Sequence, residues 1–101
     1  MNIRKVFATP QEVQAEIQRI MLNYPMFDQV LLFGSRARMD AKYNSDFDLC
    51  VVAPKDEKKA YHQFVDEIQE MNTPFSFDLV FFSNIASEVF KAEILKDGLV
   101  L

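Results

Sequence analysis

The chain has 101 residues, half of them hydrophobic and 26% charged, with ten phenylalanines, enough apolar material for one small core. Eleven basic residues against fifteen acidic ones leave a net charge of −4, which counts against a nonspecific nucleic-acid or anionic-membrane binder. A lone cysteine, Cys50, has no intrachain disulfide partner and fits a reducing compartment.

The longest apolar run, Leu49 to Ala53, falls far short of the about 18 residues of a membrane span. The start of the chain is basic at Arg4 and Lys5 but has no apolar segment of signal-peptide type behind it. With no repeat or Gly/Ser linker, these features predict one cytoplasmic domain over residues 1–101. Thr9-Pro10-Gln11-Glu12 reads as a helix start: Thr9 as cap, Pro10 in the first position and Glu12 closing a capping box. Val13, Ile17, Ile20, Met21 and Tyr24 then form one apolar face, and Pro25 ends the helix. Val30 to Phe33, bounded by Gly34, suits a strand buried on both faces. A second strand runs from Phe47 to Ala53 and stops at Pro54; a charged segment, Lys55 to Lys59, leads into a second amphipathic helix marked by Ala60, Tyr61, Phe64, Val65, Ile68 and Met71. Phe75 to Phe82 reads as a third strand. Ser83 or Asn84 is expected to cap a last helix through Lys96, with Gly98 as its stop and Leu99 to Leu101 as an edge strand. The order predicts an α/β (α+β) domain with helices packed on one mixed sheet.

Strand alternation singles out three aspartates. Asp46 and Asp48 share one face of the second strand, while Phe47, Leu49, Val51 and Ala53 fill the other. On the third strand Phe75, Phe77, Leu79 and Phe81 are the apolar face and Asp78 lies opposite, with Ser76. If the two strands are neighbours, three carboxylates converge without a nearby countercharge, and such groups repel. A divalent cation relieves that repulsion. Positions two apart on a strand are about 6.6 Å apart and the next strand about 4.8 Å away, so the three could hold two ions about 3.5–4 Å apart, the separation used for in-line phosphoryl displacement. Hard oxygen donors favour Mg²⁺ or Mn²⁺, and no His or Cys cluster points to zinc.

Gly34 allows a tight turn and close backbone approach by a ligand, and Ser35 opens about one helical turn with free amides and a hydroxyl. Ser35 also reads as a plain cap. Arg36 and Arg38 add positive charge, for a phosphate or for ion pairs. His62 falls on the polar side of its helix, and Cys50 reads as a buried, inert thiol.

Gly34-Ser35-Arg36-Ala37-Arg38 followed by Ser45-Asp46-Phe47-Asp48-Leu49 resembles the signature of DNA polymerase β-like nucleotidyltransferases. It is most similar to the minimal nucleotidyltransferase branch, with the spacing from Gly34 to Asp46 and Asp48 kept and Asp78 where the family places its third carboxylate. One position departs: Met39 stands where a glycine usually follows Arg38, at a turn where positive φ is expected, at a cost of about 1 kcal/mol. The resemblance implies the polymerase β palm-like fold and transfer of a nucleoside monophosphate, AMP from ATP, to an acceptor hydroxyl by a two-metal mechanism. Asp46 and Asp48 would hold both Mg²⁺ ions, and Asp78 would complete the catalytic-metal site and help deprotonate the acceptor. Gly34 and Ser35, with Arg36 and Arg38 beside them, would bind the donor's phosphates. It also implies a HEPN-domain partner, often an RNase toxin, for which the chain would be the antitoxin, in some pairs by adenylylating a tyrosine. Two other functions remain open: an antitoxin or scaffold acting by binding alone, and a small-molecule nucleotidyltransferase. The latter is disfavoured because too few residues follow the core to form an acceptor domain. Neither membrane nor direct nucleic-acid binding is expected.

Overall fold

The computed structural model describes residues 4–101. Helix α1 covers Pro10–Met21, strand β1 Gln29–Phe33, the one-turn helix α2 Gly34–Ala37 and strand β2 Phe47–Val52. A 3₁₀ turn at Lys55–Glu57 leads into helix α3, Lys58–Gln69; strand β3 is Phe77–Phe81, helix α4 Glu88–Asp97 and strand β4 Leu99–Val100. The four strands form one mixed sheet in the order β3-β2-β1-β4. β1 runs antiparallel to β2 and β4, while β2 and β3 are parallel neighbours joined through α3. This is the α+β arrangement expected from the sequence, and it meets the condition on which the convergence of the carboxylates rests.

Helix α1 begins as its sequence dictates. The Thr9 hydroxyl accepts the Glu12 amide at 3.1 Å and donates to the Glu12 carboxylate at 3.1 Å, so the box closes through the hydroxyl. The helix ends at Met21, and the turn that follows carries Tyr24 into the core before Pro25 is reached.

α1 and α3 cover one face of the sheet. Val13, Ile17 and Ile20 from α1 and Ala60, Tyr61, Phe64 and Ile68 from α3 pack on Val30, Leu32, Phe47, Leu49 and Val51. The rings of Tyr24, Phe27 and Phe64 lock the helix pair, with centroids 5.1–5.4 Å apart. The Tyr24 hydroxyl donates to Glu67, and burial pushes its pKa up to about 12. On the other face, Ile94 and Phe90 of α4 pack on Leu31, Cys50, Phe33 and Val52. The thiol of Cys50 is wholly buried, which pushes its pKa up to about 11 and makes it inert. α4 leaves the Asp48 end of this face open: Asp46 and Asp78 are exposed and Asp48 is half-buried.

The start of β3 and the cap of α4 differ from the expectation. β3 pairs only from Phe77, although Phe75 already lies in the core against Phe47. Neither Ser83 nor Asn84 caps α4. The Ser83 hydroxyl donates to the Ala53 carbonyl at 2.8 Å, Phe82–Asn84 forms a 3₁₀ turn, and Ile85 continues extended into the second core. Ser87 is the cap, its hydroxyl accepting the Phe90 amide at 3.1 Å.

Candidate active site

Sheet register builds the site. Phe33, the last residue of β1, pairs with Asp48, and Asp48 pairs with Asp78 across the parallel β2–β3 ladder. Asp46 precedes β2 by one residue and is in phase with Asp48, as alternation requires. The three aspartates thus stand at one end of the sheet, in phase on the face that α4 packs on.

Gly34 follows Phe33 and turns the chain with φ +72°, in the left-handed region that a side chain disfavours. It is also pressed against Asp48: a Cβ at this position would lie 2.3 Å from Asp48 Oδ2. Only glycine lets the backbone come this close to the carboxylate. α2 starts here without a side-chain cap, so the amides of its first turn have no partner within the helix.

Asp48 carries the electrostatic cost of this packing. Its pKa is raised from the usual 3.8, first by burial, then by the charges of Asp78 and Asp46, against a smaller lowering by Arg38. Arg38 borders the same cleft as Gly34, with its guanidinium 3.3 Å from exposed Asp40. Among the described residues, no three acidic, histidine or cysteine side chains are gathered into a finished metal cage. Half-buried Asp48 is packed beside Gly34, whereas Asp46 and Asp78 are exposed. Carboxylate oxygens near enough to raise the pKa of Asp48 by their charge are of the chemistry that would suit Mg²⁺ or Mn²⁺.

Arg36, expected beside the phosphates, has its side chain engaged on protein groups in this structure. Its side chain lies on the α1/α3 face, stacked over the rings of Phe47 at 4.2 Å and Phe75 at 5.2 Å. There its guanidinium donates to the Tyr43 and Ser45 carbonyls of the loop before β2. The sequence gives no local sign of this, because the acceptors are main-chain atoms seven and nine residues away. In the same loop Met39 takes the positive φ expected there, +63°, with its side chain almost fully in water. A cleft of about 430 Å³ opens between α2 and α4, bordered by Gly34, Arg38, Phe90, Glu93 and Lys96. A hollow of about 470 Å³ lies between the end of α1 and β4, and Asp46, Asp48 and Asp78 do not line it.

Residues 15–101 match the family described as "Polymerase beta, Nucleotidyltransferase". The chain belongs to this family. It resembles the solved structure of a candidate minimal nucleotidyltransferase, with 18% identity and a TM-score of 0.72 over 92% of this chain and 96% of that one. A toxin–antitoxin structure with AMP-PNP is 22% identical, with a TM-score of 0.58 over 86% of this chain and 70% of the other. The toxin–antitoxin MntA-HepT structure is 21% identical, with a TM-score of 0.54 over 89% and 69%. Likeness at these identities concerns the fold. No curated protein matches the chain.

Proposed function

We propose that this nucleotidyltransferase moves AMP from ATP onto a hydroxyl of a protein partner, as the antitoxin of a pair with a HEPN-domain protein. The observation that carries the reading is the pairing of Asp48 with Asp78 across β2 and β3, with the Gly34 turn against Asp48. Two Mg²⁺ ions bound by Asp46, Asp48 and Asp78 would neutralise the triphosphate and acidify the acceptor hydroxyl. Gly34 and Ser35 bring main-chain amides and a hydroxyl against the β- and γ-phosphates, and Arg38 adds positive charge on the same side. Asp78, which is exposed, would help take the proton of the incoming hydroxyl. The acceptor oxygen bonds to the α-phosphorus as the bond to pyrophosphate breaks in line. Most of the catalysis is positioning and charge neutralisation, which a rigid sheet edge supplies. The toxin–antitoxin structures that share the fold support a protein partner.

One observation favours action by binding alone: Met39 holds a strained turn next to the site where the family's pattern has glycine. The test is incubation of the chain with α-labelled ATP, Mg²⁺ and its co-purified partner. The expected result is label on the partner with the native chain and none with Asp48→Asn. Neutralisation of the partner by Asp46→Asn/Asp48→Asn, without label, would establish the binding-only reading instead. Rapid labelling of free small hydroxyl compounds, with none on the partner, would establish a small-molecule transferase.

A further inference from the structure

We propose that Arg36 is a positioning residue that fixes Asp46 by tying the 38–46 loop to the far face of the sheet. The proposal rests on the carboxylates being a metal–nucleotide site and concerns how that site keeps its shape. Arg36 sits in α2, directly after Gly34 and Ser35, so its backbone belongs to the same turn that packs on Asp48. Its Nη2 donates to the Ser45 carbonyl at 2.6 Å and to the Tyr43 carbonyl at 2.9 Å, and Nε donates to the Ser45 carbonyl at 3.1 Å. The Ser45 carbonyl belongs to the peptide plane that leads into Asp46, and the Phe47 amide just after Asp46 donates to the Ser76 carbonyl at 3.0 Å. With both flanking planes held, the direction in which the Asp46 side chain leaves the backbone is set. The flat cation is itself held by the rings of Phe47 and Phe75, one from β2 and one from the segment before β3.

Among the loop's other ties are the Met39 amide to the Arg36 carbonyl, the Arg38–Asp40 pair and the Tyr43 ring beside Phe75 at 5.4 Å. Its main-chain bonds include Asp40 to Ser35 and Ser45 to Lys42, and the Tyr43 hydroxyl reaches the Ala8 carbonyl at 3.2 Å. Arg36 joins both walls of the site, the α2 turn and the approach to β2, through one planar group with several donors. Lysine keeps the charge but has neither the fork nor the flat stacking surface, so Arg36→Lys is not conservative here. Arg36→Met keeps an aliphatic body on the rings and removes every donor.

The experiment measures Mn²⁺ binding without nucleotide by electron paramagnetic resonance, amide hydrogen exchange at 40–46, and the thermal melt. It compares the native chain, Arg36→Lys and Arg36→Met. Loss of charge-assisted hydrogen bonds predicts about tenfold weaker Mn²⁺ binding and faster exchange at 40–46 in both variants, measured well below their melting temperatures. A lower melt with unchanged Mn²⁺ affinity would make Arg36 merely structural and overturn the proposal. Unchanged Mn²⁺ binding and loop exchange with weakened ATP binding would make Arg36 a phosphate ligand and also overturn it. If Arg36→Met fails to fold, Arg36→Lys carries the same comparison. Failure of the native chain to bind Mn²⁺ would overturn the metal-site reading itself, and the proposal with it.

Discussion

Gly34→Ala separates the needs of the site from the needs of the fold. Alanine at φ +72° costs about 1 kcal/mol in backbone strain. Its Cβ would fall 2.3 Å from Asp48 Oδ2 and 3.2 Å from Cγ, so the carboxylate must rotate away. An aspartate driven off its preferred rotamer costs a further ~1 kcal/mol, while the stiffer unfolded chain returns about 0.5 kcal/mol. The net destabilisation is about 1–2 kcal/mol, and each kcal/mol lowers Tm by about 4–8 °C in a domain of this size. The loss of Mg²⁺-dependent ATP binding should exceed anything the stability change explains, because the atom displaced is a proposed metal ligand. Gly98→Ala is the control. There the added Cβ would lie 2.5 Å from the Ile94 main-chain oxygen, at the end of α4 and away from the carboxylates. It should lower Tm and leave ATP affinity unchanged. A Gly34→Ala protein with native affinity, or a Gly98→Ala protein that loses affinity equally, would refute the close approach as a functional feature.

Three further outcomes are expected. Asp48 has a raised pKa, so the folded state holds its proton more tightly than the unfolded chain does, and its contribution to stability is lost as pH rises from 3.8 through the folded value. Asp48→Asn should therefore melt above the native chain at pH 7 in EDTA, with the gap closing as pH falls toward 3.8; a gap that widens on acidification would contradict the assignment. Cys50, with its pKa pushed up to about 11, should resist a thiol reagent at pH 8 in the folded protein and react at once in guanidinium. Ser87→Ala should cost about 1 kcal/mol through loss of the α4 cap, read by urea denaturation, and an unchanged midpoint would show that the cap lies elsewhere.

The carboxylate site was largely legible because strand alternation is a local rule. Phe47, Leu49 and Val51 fall in the core, which forces Asp46 and Asp48 to the other face, and the same parity in β3 places Asp78 beside them. The Thr9 cap was legible for the same reason, since all its parts lie within four residues. The Ser83 expectation failed on a partner 30 residues away: the Ala53 carbonyl recruits the hydroxyl, and helix α4 starts at the next available cap. The position of Arg36 was hidden for the same reason. Its charge suggested phosphate, but rings and carbonyls on the far side of the sheet were within its reach. α4 offered little to read, because Val89 and Leu95 are exposed while Phe90 and Ile94 face the sheet, so its apolar residues do not mark one side.

Calorimetric titration of ATP into the native chain, with Mg²⁺ and then with excess EDTA, tests the central claim most directly. Asp46, Asp48 and Asp78 gather negative charge at the end of the sheet where the triphosphate would lie. Saturable binding with Mg²⁺ that disappears in EDTA, and is absent in Asp46→Asn/Asp48→Asn with Mg²⁺, is the predicted result. Equal affinity with and without the metal, or in the double mutant, would contradict the assignment of this site to metal-dependent nucleotidyl transfer.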